Sequence, residues 1–457
     1  MGKTPSDIQS LMIQRSHFPT DFTWGVATSA FQIEGAAKQD GRGPSIWDTF
    51  CETSGHIADN STGLIACDHY NRLEEDLDLI ASLGVTAYRF SVSCPRVQPL
   101  GYGDWNEAGF DFYRRLVDGL HSRGIEAYLT LYHWDLPQAL QDRGGWNNRE
   151  TCNHFCRYAC EVVKRLGDRI DSLATFNEPW VVAILGHETG IFAPGIKDRK
   201  IAYQAGHHQL AAHGMSLKAI RQMGFNKPMG IVLNQSPIYP ASNDPQDIAK
   251  AVLDDGIVVR WYMDPLLKSS YPADVLAWLG DDAPVVEPGD MTLIAQPLDF
   301  IGINYYTRNF SSASETHKAQ ETGNPITEMG WEIYPAGLTE LLCRLNKDYL
   351  LPAIYITENG GAFKDPMVNG QIDDHDRLSY LHDHIQATLH AIEQGVDVRG
   401  YFVWSLMDNF EWAEGYAKRF GIVHVNFDTL ERTLKNSALA YREIIAKNSV
   451  SSGVAVG

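Results

Sequence analysis

Asn71-Arg-Leu-Glu-Glu-Asp-Leu-Asp-Leu-Ile80, followed after Gly84 by Ala87-Tyr-Arg-Phe-Ser-Val92, holds the pattern on which the fold turns. In the first segment Leu73, Leu77 and Ile80 recur at helical spacing with acids on the opposite face, and Gly84 stands where a helix would stop. The second is short and apolar almost throughout, as a strand is when both of its faces are buried. These two textures alternate along the chain. Strand-like runs fall at 22–29, 87–92, 126–132, 172–176, 230–233, 300–305, 353–357 and 399–404. Further amphipathic segments of helical period occupy 110–123, 150–165, 201–223, 247–267, 338–346, 376–394 and 437–445. Eight strand-then-helix units with right-handed crossovers predict an α/β fold, one closed eight-stranded β/α (TIM) barrel. The surplus length then belongs to long loops after the strands, where such barrels build their sites. No Gly-x-Gly-x-x-Gly follows a strand, which weighs against a dinucleotide fold.

Composition narrows the setting. With 57 acidic against 38 basic residues the formal net charge is −19, which disfavours nucleic acid and anionic membrane surfaces, because both bind through Lys and Arg. A 44% hydrophobic content suffices for a large core and excludes disorder for the chain as a whole. The 457 residues are expected to divide into a flexible N-terminal segment (1–16), a catalytic barrel (17–447) and a flexible C-terminal tail (448–457). Seven cysteines, odd in number and thinly spread, do not suggest a disulfide framework. The first sixteen residues lack the apolar core of a secretory signal, and no apolar run reaches the roughly 20 residues of a membrane span. A cytoplasmic setting is expected, with a homo-oligomer left open.

A barrel brings the C-terminal ends of its strands to one mouth even when they are hundreds of positions apart. Within or just past the strand-like runs stand Gln32, Arg89, His133 with Trp134, Asn177-Glu178-Pro179, Asn234, Asn304 with Tyr306, Glu358-Asn359 and Trp404. Glu178 and Glu358 end the fourth and seventh runs. Either one alone is as readily a solvated or ion-paired side chain. Two carboxyls facing across one mouth, among Arg, Tyr, His, Asn and Trp, suit glycoside cleavage, in which one donates a proton and the other attacks or activates water.

The segments Phe22-Thr-Trp-Gly-Val-Ala-Thr-Ser-Ala-Phe-Gln-Ile-Glu-Gly35, Tyr132-His-Trp-Asp-Leu-Pro137, Thr175-Phe-Asn-Glu-Pro-Trp180, Ile356-Thr-Glu-Asn-Gly360, Phe402-Val-Trp-Ser-Leu-Met-Asp-Asn-Phe-Glu-Trp412 and Arg419-Phe-Gly421 resemble family 1 of the glycoside hydrolases, the β-glucosidases, over nearly the whole chain. The resemblance implies a retaining, exo-acting β-glucosidase working in two steps. Glu178 would be the acid/base and Glu358 the nucleophile, with Arg89, Asn177 and Tyr306 in support. Gln32, His133, Asn177, Trp404, Glu411 and Trp412 would bind the sugar. On the leaving-group side the matching positions are Trp180, Asn234 and Trp331. Relatives that act on 6-phosphorylated sugars carry serine in place of Glu411, so free sugars are expected: terminal β-D-glucosyl residues of cellobiose, short cello-oligosaccharides and aryl or alkyl β-glucosides. β-Fucosides and β-galactosides are expected as weaker substrates. Broad β-galactosidase/β-fucosidase specificity and a non-catalytic sugar-binding barrel are the alternatives. No cofactor and no metal is implied, and the expected partners are small β-glucosides, with neither nucleic acid nor membrane.

Other motifs read more plainly. His69, His207, His208 and His213 lack the spacing of a zinc helix and are expected as helix-face or core side chains. Cys152, Cys156 and Cys160 lie on one helical stripe and are expected as small buried hydrophobes. Cys94 stands where the family usually has tryptophan, which predicts a void at the end of the second strand and a penalty in stability more than in chemistry.

Overall fold

The structure, a computed structural model, describes residues 17–314, 322–368 and 371–451. The expected flexible segment 1–16 and residues 452–457 of the expected tail 448–457 lie outside the described residues, while residues 448–451 are packed, Val450 being buried and Asn448 donating to the Phe18 carbonyl at 2.9 Å.

Eight parallel strands close into a barrel. They are β1 (Thr23–Ala27), β2 (Ala87–Ser91), β3 (Glu126–Tyr132), β4 (Ser172–Asn177), β5 (Met229–Asn234), β6 (Phe300–Asn304), β7 (Ala353–Asn359) and β8 (Val398–Trp404). Each pairs with its neighbour in sequence, and β8 returns to β1 along Thr23–Gly400 to Ala27–Trp404. Their near-continuous burial explains why the strands read as apolar runs rather than as alternating ones, since helices cover the outside and side chains fill the inside. Helices α1 (Leu73–Ser82), α2 (Glu107–Ser122), α3 (Glu150–Leu166) and α4 (Arg199–Gln222) follow the first four strands. The predicted segment 247–267 is two helices, α5 (Pro245–Asp255) and α6 (Trp261–Lys268), joined by a π turn at Gly256–Arg260. Amphipathic period alone does not reveal that insertion, because the apolar stripe runs through it. Then α7 (Pro335–Asp348), α8 (His375–Glu393) and α9 (Asn436–Lys447) complete the ring.

Irregularities fall where the strands reach the mouth. The ladders shift register between Ala174 and Asn177 on β4, between Ile303 and Asn304 on β6, and between Tyr401 and Val403 on β8. Such shifts re-aim the last side chains of a strand. Gly360, just past β7, passes so close to β8 that a Cβ there would lie 1.7 Å from the Trp404 carbonyl oxygen. Only glycine lets the segment after Glu358 lie against the strand that carries Trp404.

The loop after β8 is fixed by buried charge. Lys435 donates to Asp365 at 2.6 Å and to Asp408 at 2.7 Å, Arg377 to Asp365 at 2.7 Å and Asp374 at 2.9 Å, and Arg419 to Asp408 at 2.6 Å. Lys435, Asp408 and Asp365 are fully buried. Each charge faces at least one opposite charge, which is the condition for burying ions without a large penalty. The four histidines are structural. His69 meets Asp76 at 2.8 Å, His207 meets Asp290 at 2.9 Å, His208 contacts the Trp146 carbonyl at 2.8 Å, and His213 meets Thr175 at 2.7 Å.

Candidate active site

At the barrel mouth a cavity of about 480 Å³ is lined by His133, Glu178, Tyr306, Glu358, Trp404, Glu411 and Trp412, with Trp180, Asn234 and Trp331 on its walls. Strand ends supply the polar groups and long loops the rest. Glu178 follows β4 with φ 49°, a left-handed turn held by its own N–H donating to the Val232 carbonyl at 2.9 Å. That conformation is uncommon for a residue with a side chain and is tolerated when its surroundings fix it. Here it turns the carboxyl inward, where Asn304 Nδ2 donates to Oε1 at 2.6 Å.

Glu358, the penultimate residue of β7, is bound more strongly. Arg89 Nη1 donates to Oε1 at 2.7 Å and the Tyr306 hydroxyl to Oε2 at 2.5 Å. Arg89 is itself oriented by donating from Nη2 to Asn177 Oδ1 at 2.7 Å and from Nη1 to the Thr357 carbonyl at 3.2 Å. Both glutamates are buried, 5% and 3% exposed, and their environments separate them. Burial, then the negative charge of Glu358, pushes the Glu178 carboxyl up to about 8. Burial also raises Glu358, but the guanidinium and the phenol hydroxyl oppose it. The pair therefore holds one proton at neutral pH, on Glu178, and Glu358 is the ionised partner.

Beneath this pair lies an amide layer. Asn304 Nδ2 also donates to Asn177 Oδ1 at 3.0 Å, and its Oδ1 accepts from Thr357 at 2.7 Å. Asn177 Nδ2 lies 3.2 Å from His133 Nε2. Burial and the charge of Arg89 hold His133 well below its ordinary value, so the ring is neutral. Its Nε2 can then accept from Asn177, which leaves a proton on Nδ1, and Nδ1 has no partner among the described residues. Asn177, Arg89 and Gln32 sit behind the cavity wall rather than on it. Gln32 is held against the loop after β8, its Nε2 donating to the Phe410 carbonyl at 2.9 Å and Asn409 at 3.0 Å and approaching Glu411, which lines the cavity, at 3.4 Å.

The apolar side of the cavity is aromatic. His133 stacks on Trp404 with centroids 5.7 Å apart at 16° and on Trp412 at 5.9 Å and 15°, and Trp412 in turn stacks on Phe31. Glu411 reaches the same cavity, and burial with the nearby charge of Glu358 raises its carboxyl to about 8. Trp331 packs against Tyr306 at 5.3 Å, while Trp180 presents an indole N–H with no partner among the described residues. Weak hydroxyl-binding groups around indole faces suit a pyranose, which has polar edges and apolar faces. Among the described residues no group of three or more His, Cys, Asp and Glu is placed to hold a metal ion. Likewise no described helix is long and apolar enough to cross a membrane.

Sequence reasoning gave Asn304 and Thr357 no role, yet Asn304 ties Asn177 to Glu178 and Thr357 fixes Asn304. The signal for Asn304 was its place at the end of β6. Gln235 was missed as well. It lines the cavity beside Asn234 with both amide atoms buried and unpartnered. Cys94 is 6% exposed at the end of β2, where it feels the charge of Asp135. Asp135 is fully buried, neither of its oxygens makes a well-formed hydrogen bond, and burial pushes it up to about 8.

A family model described as Glycosyl hydrolase family 1 matches residues 14–450. "Beta-glucosidase A" of Acetivibrio thermocellus is 49% identical over 442 residues, 94% of this chain and 98% of that protein. A "Beta-glucosidase" of an Agrobacterium species is 48% identical over 434 residues, 93% of this chain and 95% of its own. The solved "Beta-glucosidase from Thermotoga maritima in complex with glucoimidazole" superposes with a TM-score of 0.93 at 43% identity, covering 95% of this chain and 100% of that one.

Proposed function

The chain belongs to glycosyl hydrolase family 1 and is a β-glucosidase, and from that premise we propose that it is a retaining, exo-acting enzyme that removes terminal β-D-glucosyl residues from cellobiose, short cello-oligosaccharides and aryl or alkyl β-glucosides. The observation that carries this is the division of labour between two buried carboxyls in one cavity, Glu178 protonated and Glu358 ion-paired to Arg89. In the first step Glu358 attacks the anomeric carbon while Glu178 gives its proton to the glycosidic oxygen, and the carbon–oxygen bond to the leaving group breaks. The glycosyl ester that forms no longer carries the Glu358 charge. The repulsion that raised Glu178 is thereby removed, and its carboxylate takes a proton from water as the water attacks the anomeric carbon and frees Glu358. Asn304 touches Glu178 throughout and positions it for both tasks.

His133, Trp404, Glu411 and Trp412 form the sugar subsite, and Arg89 and Asn177 act through Glu358 and His133 from behind it. Glu358 is charged in the cavity that Glu178 and Glu411 also line, so a sugar carrying a 6-phosphate meets repulsion that a free 6-hydroxyl does not, and the repulsion grows as pH rises through about 8 and the other two ionise. The relative solved in complex with glucoimidazole supports a glucose-like ligand for this chain. Trp180, Asn234 and Trp331 form the leaving-group side.

Turnover of p-nitrophenyl β-glucoside tests the assignment. Glu358→Gln is expected to abolish it. Glu178→Ala should lower kcat by about 10²–10⁴, abolish the fall in rate expected of the wild type as pH rises through about 8, and recover with azide to give a β-glycosyl azide. Full activity in Glu358→Gln, or an α-configured azide product, refutes the retaining mechanism.

A further inference from the structure

On α3 the stripe Cys152, Cys156 and Cys160 divides in two. Cys152 is 1% exposed and its thiol donates to the His208 carbonyl at 3.3 Å, so it is the small buried group the spacing predicts. Cys156 and Cys160 are only half-buried and lie close enough to hydrogen-bond to each other. They open into a groove of about 690 Å³ on the outer wall of the barrel. Helix α4 packs directly against α3; Met215 from α4 and Met223, just past its end and about 12 Å farther along, line the same groove. Two cysteines and two methionines thus line one surface recess that shares no lining residue with the cavity at the barrel mouth.

Thiolate and thioether sulfur are soft donors, and together they select soft closed-shell ions over the hard cations that carboxylates and carbonyls prefer. We propose that Cys156 and Cys160, joined by Met215, form a surface site for a soft monovalent d¹⁰ cation, monovalent copper or silver. The set lacks the three His, Cys, Asp or Glu ligands of a harder metal site, so low coordination by sulfur is the mode it allows. Each thiol that binds gives its proton to solvent. Two thiolates and one monovalent cation leave a net charge of −1, and no electron is transferred. Lys164 lines the groove and offsets that charge, while Glu161, the acid beside it, is already paired with Arg165 at 2.6 Å. Thiol protons compete with the metal, so affinity rises with pH.

The test uses the reduced full-length chain titrated with silver ion, and with monovalent copper held by a competing chelator, read by native mass spectrometry and by proton release. One tightly held ion per chain and close to two protons released per ion are expected. Cys156→Ser and Cys160→Ser should each weaken binding at least tenfold, Met215→Leu several-fold, and Cys343→Ser, which alters the half-buried thiol outside the groove, not at all. Turnover of an aryl glucoside, unchanged in all four variants, shows that each is folded. Binding that survives the double variant Cys156→Ser/Cys160→Ser, or that follows Cys343 instead, overturns the proposal.

Discussion

Replacing Tyr306 by phenylalanine removes one oxygen atom from the cavity and one hydrogen bond, the 2.5 Å donation to Glu358 Oε2. The ring, its 5.3 Å packing on Trp331 and the ion pair from Arg89 at 2.7 Å remain. A hydrogen bond to a charged group contributes about 1.5–3 kcal/mol. Glu358 keeps its stronger donor, so the loss falls on the ionised form the first step requires. At 1.36 kcal/mol per decade this is about a 10- to 150-fold fall in kcat/KM for p-nitrophenyl β-glucoside. The sign of the pH effect follows from the same bond. Losing a donor disfavours the carboxylate, so Glu358 is protonated at higher pH than in the wild type and the acidic limb of the kcat/KM profile moves up in pH. The basic limb, set by Glu178, should move little. The assay is initial rates across pH 4–10 on wild type and Tyr306→Phe, with thermal melts of both to show that the fold survives. A variant with wild-type kcat/KM, or one that is slower with an unmoved acidic limb, refutes the assignment of Glu358 as the ionised nucleophile tuned by Tyr306.

The raised carboxyl of Glu411 makes a stability statement. The folded chain keeps a proton there up to about pH 8, whereas the unfolded chain releases it near 4.5, so stability falls as pH rises between those values. Glu411→Gln should gain melting temperature over wild type by an amount that grows from pH 5 to pH 8 while KM for glucosides rises; a gain that does not vary with pH contradicts it. Cys94→Trp should raise the melting temperature, since an indole fills the site and its N–H can meet the unpartnered Asp135, with little change in turnover. A large change in turnover with no change in melting temperature would count against a stability role. Lys435→Met removes the cation shared by Asp365 and Asp408 and should destabilise the fold by about 3–5 kcal/mol in denaturant unfolding; an unchanged midpoint would show that Arg377 and Arg419 suffice.

The alternation that begins at Asn71 was enough to determine an eightfold β/α barrel, because strands buried on both faces must be apolar throughout and helices between them must show one apolar stripe. It located all eight strands, and with them the strand-end residues that meet at the mouth. It did not reveal the π turn at Gly256–Arg260, whose stripe continues unbroken. Nor did it separate the wall of the cavity from the layer behind it. Asn177 and Asn304 look alike in sequence as asparagines at strand ends. Only the register shifts on β4 and β6 decide that Asn304 donates to Glu178 while Asn177 lies buried between Arg89 and His133. The division of Cys152 from Cys156 and Cys160 is of the same kind, since a helix face carries no record of where its neighbour ends. Sequence alone specified which residue types would meet at the mouth, because burial and period are local properties. Which of two identical carboxyls keeps the proton was decided by the tertiary structure, because a pKa depends on the charges and donors that distant segments bring within a few ångströms.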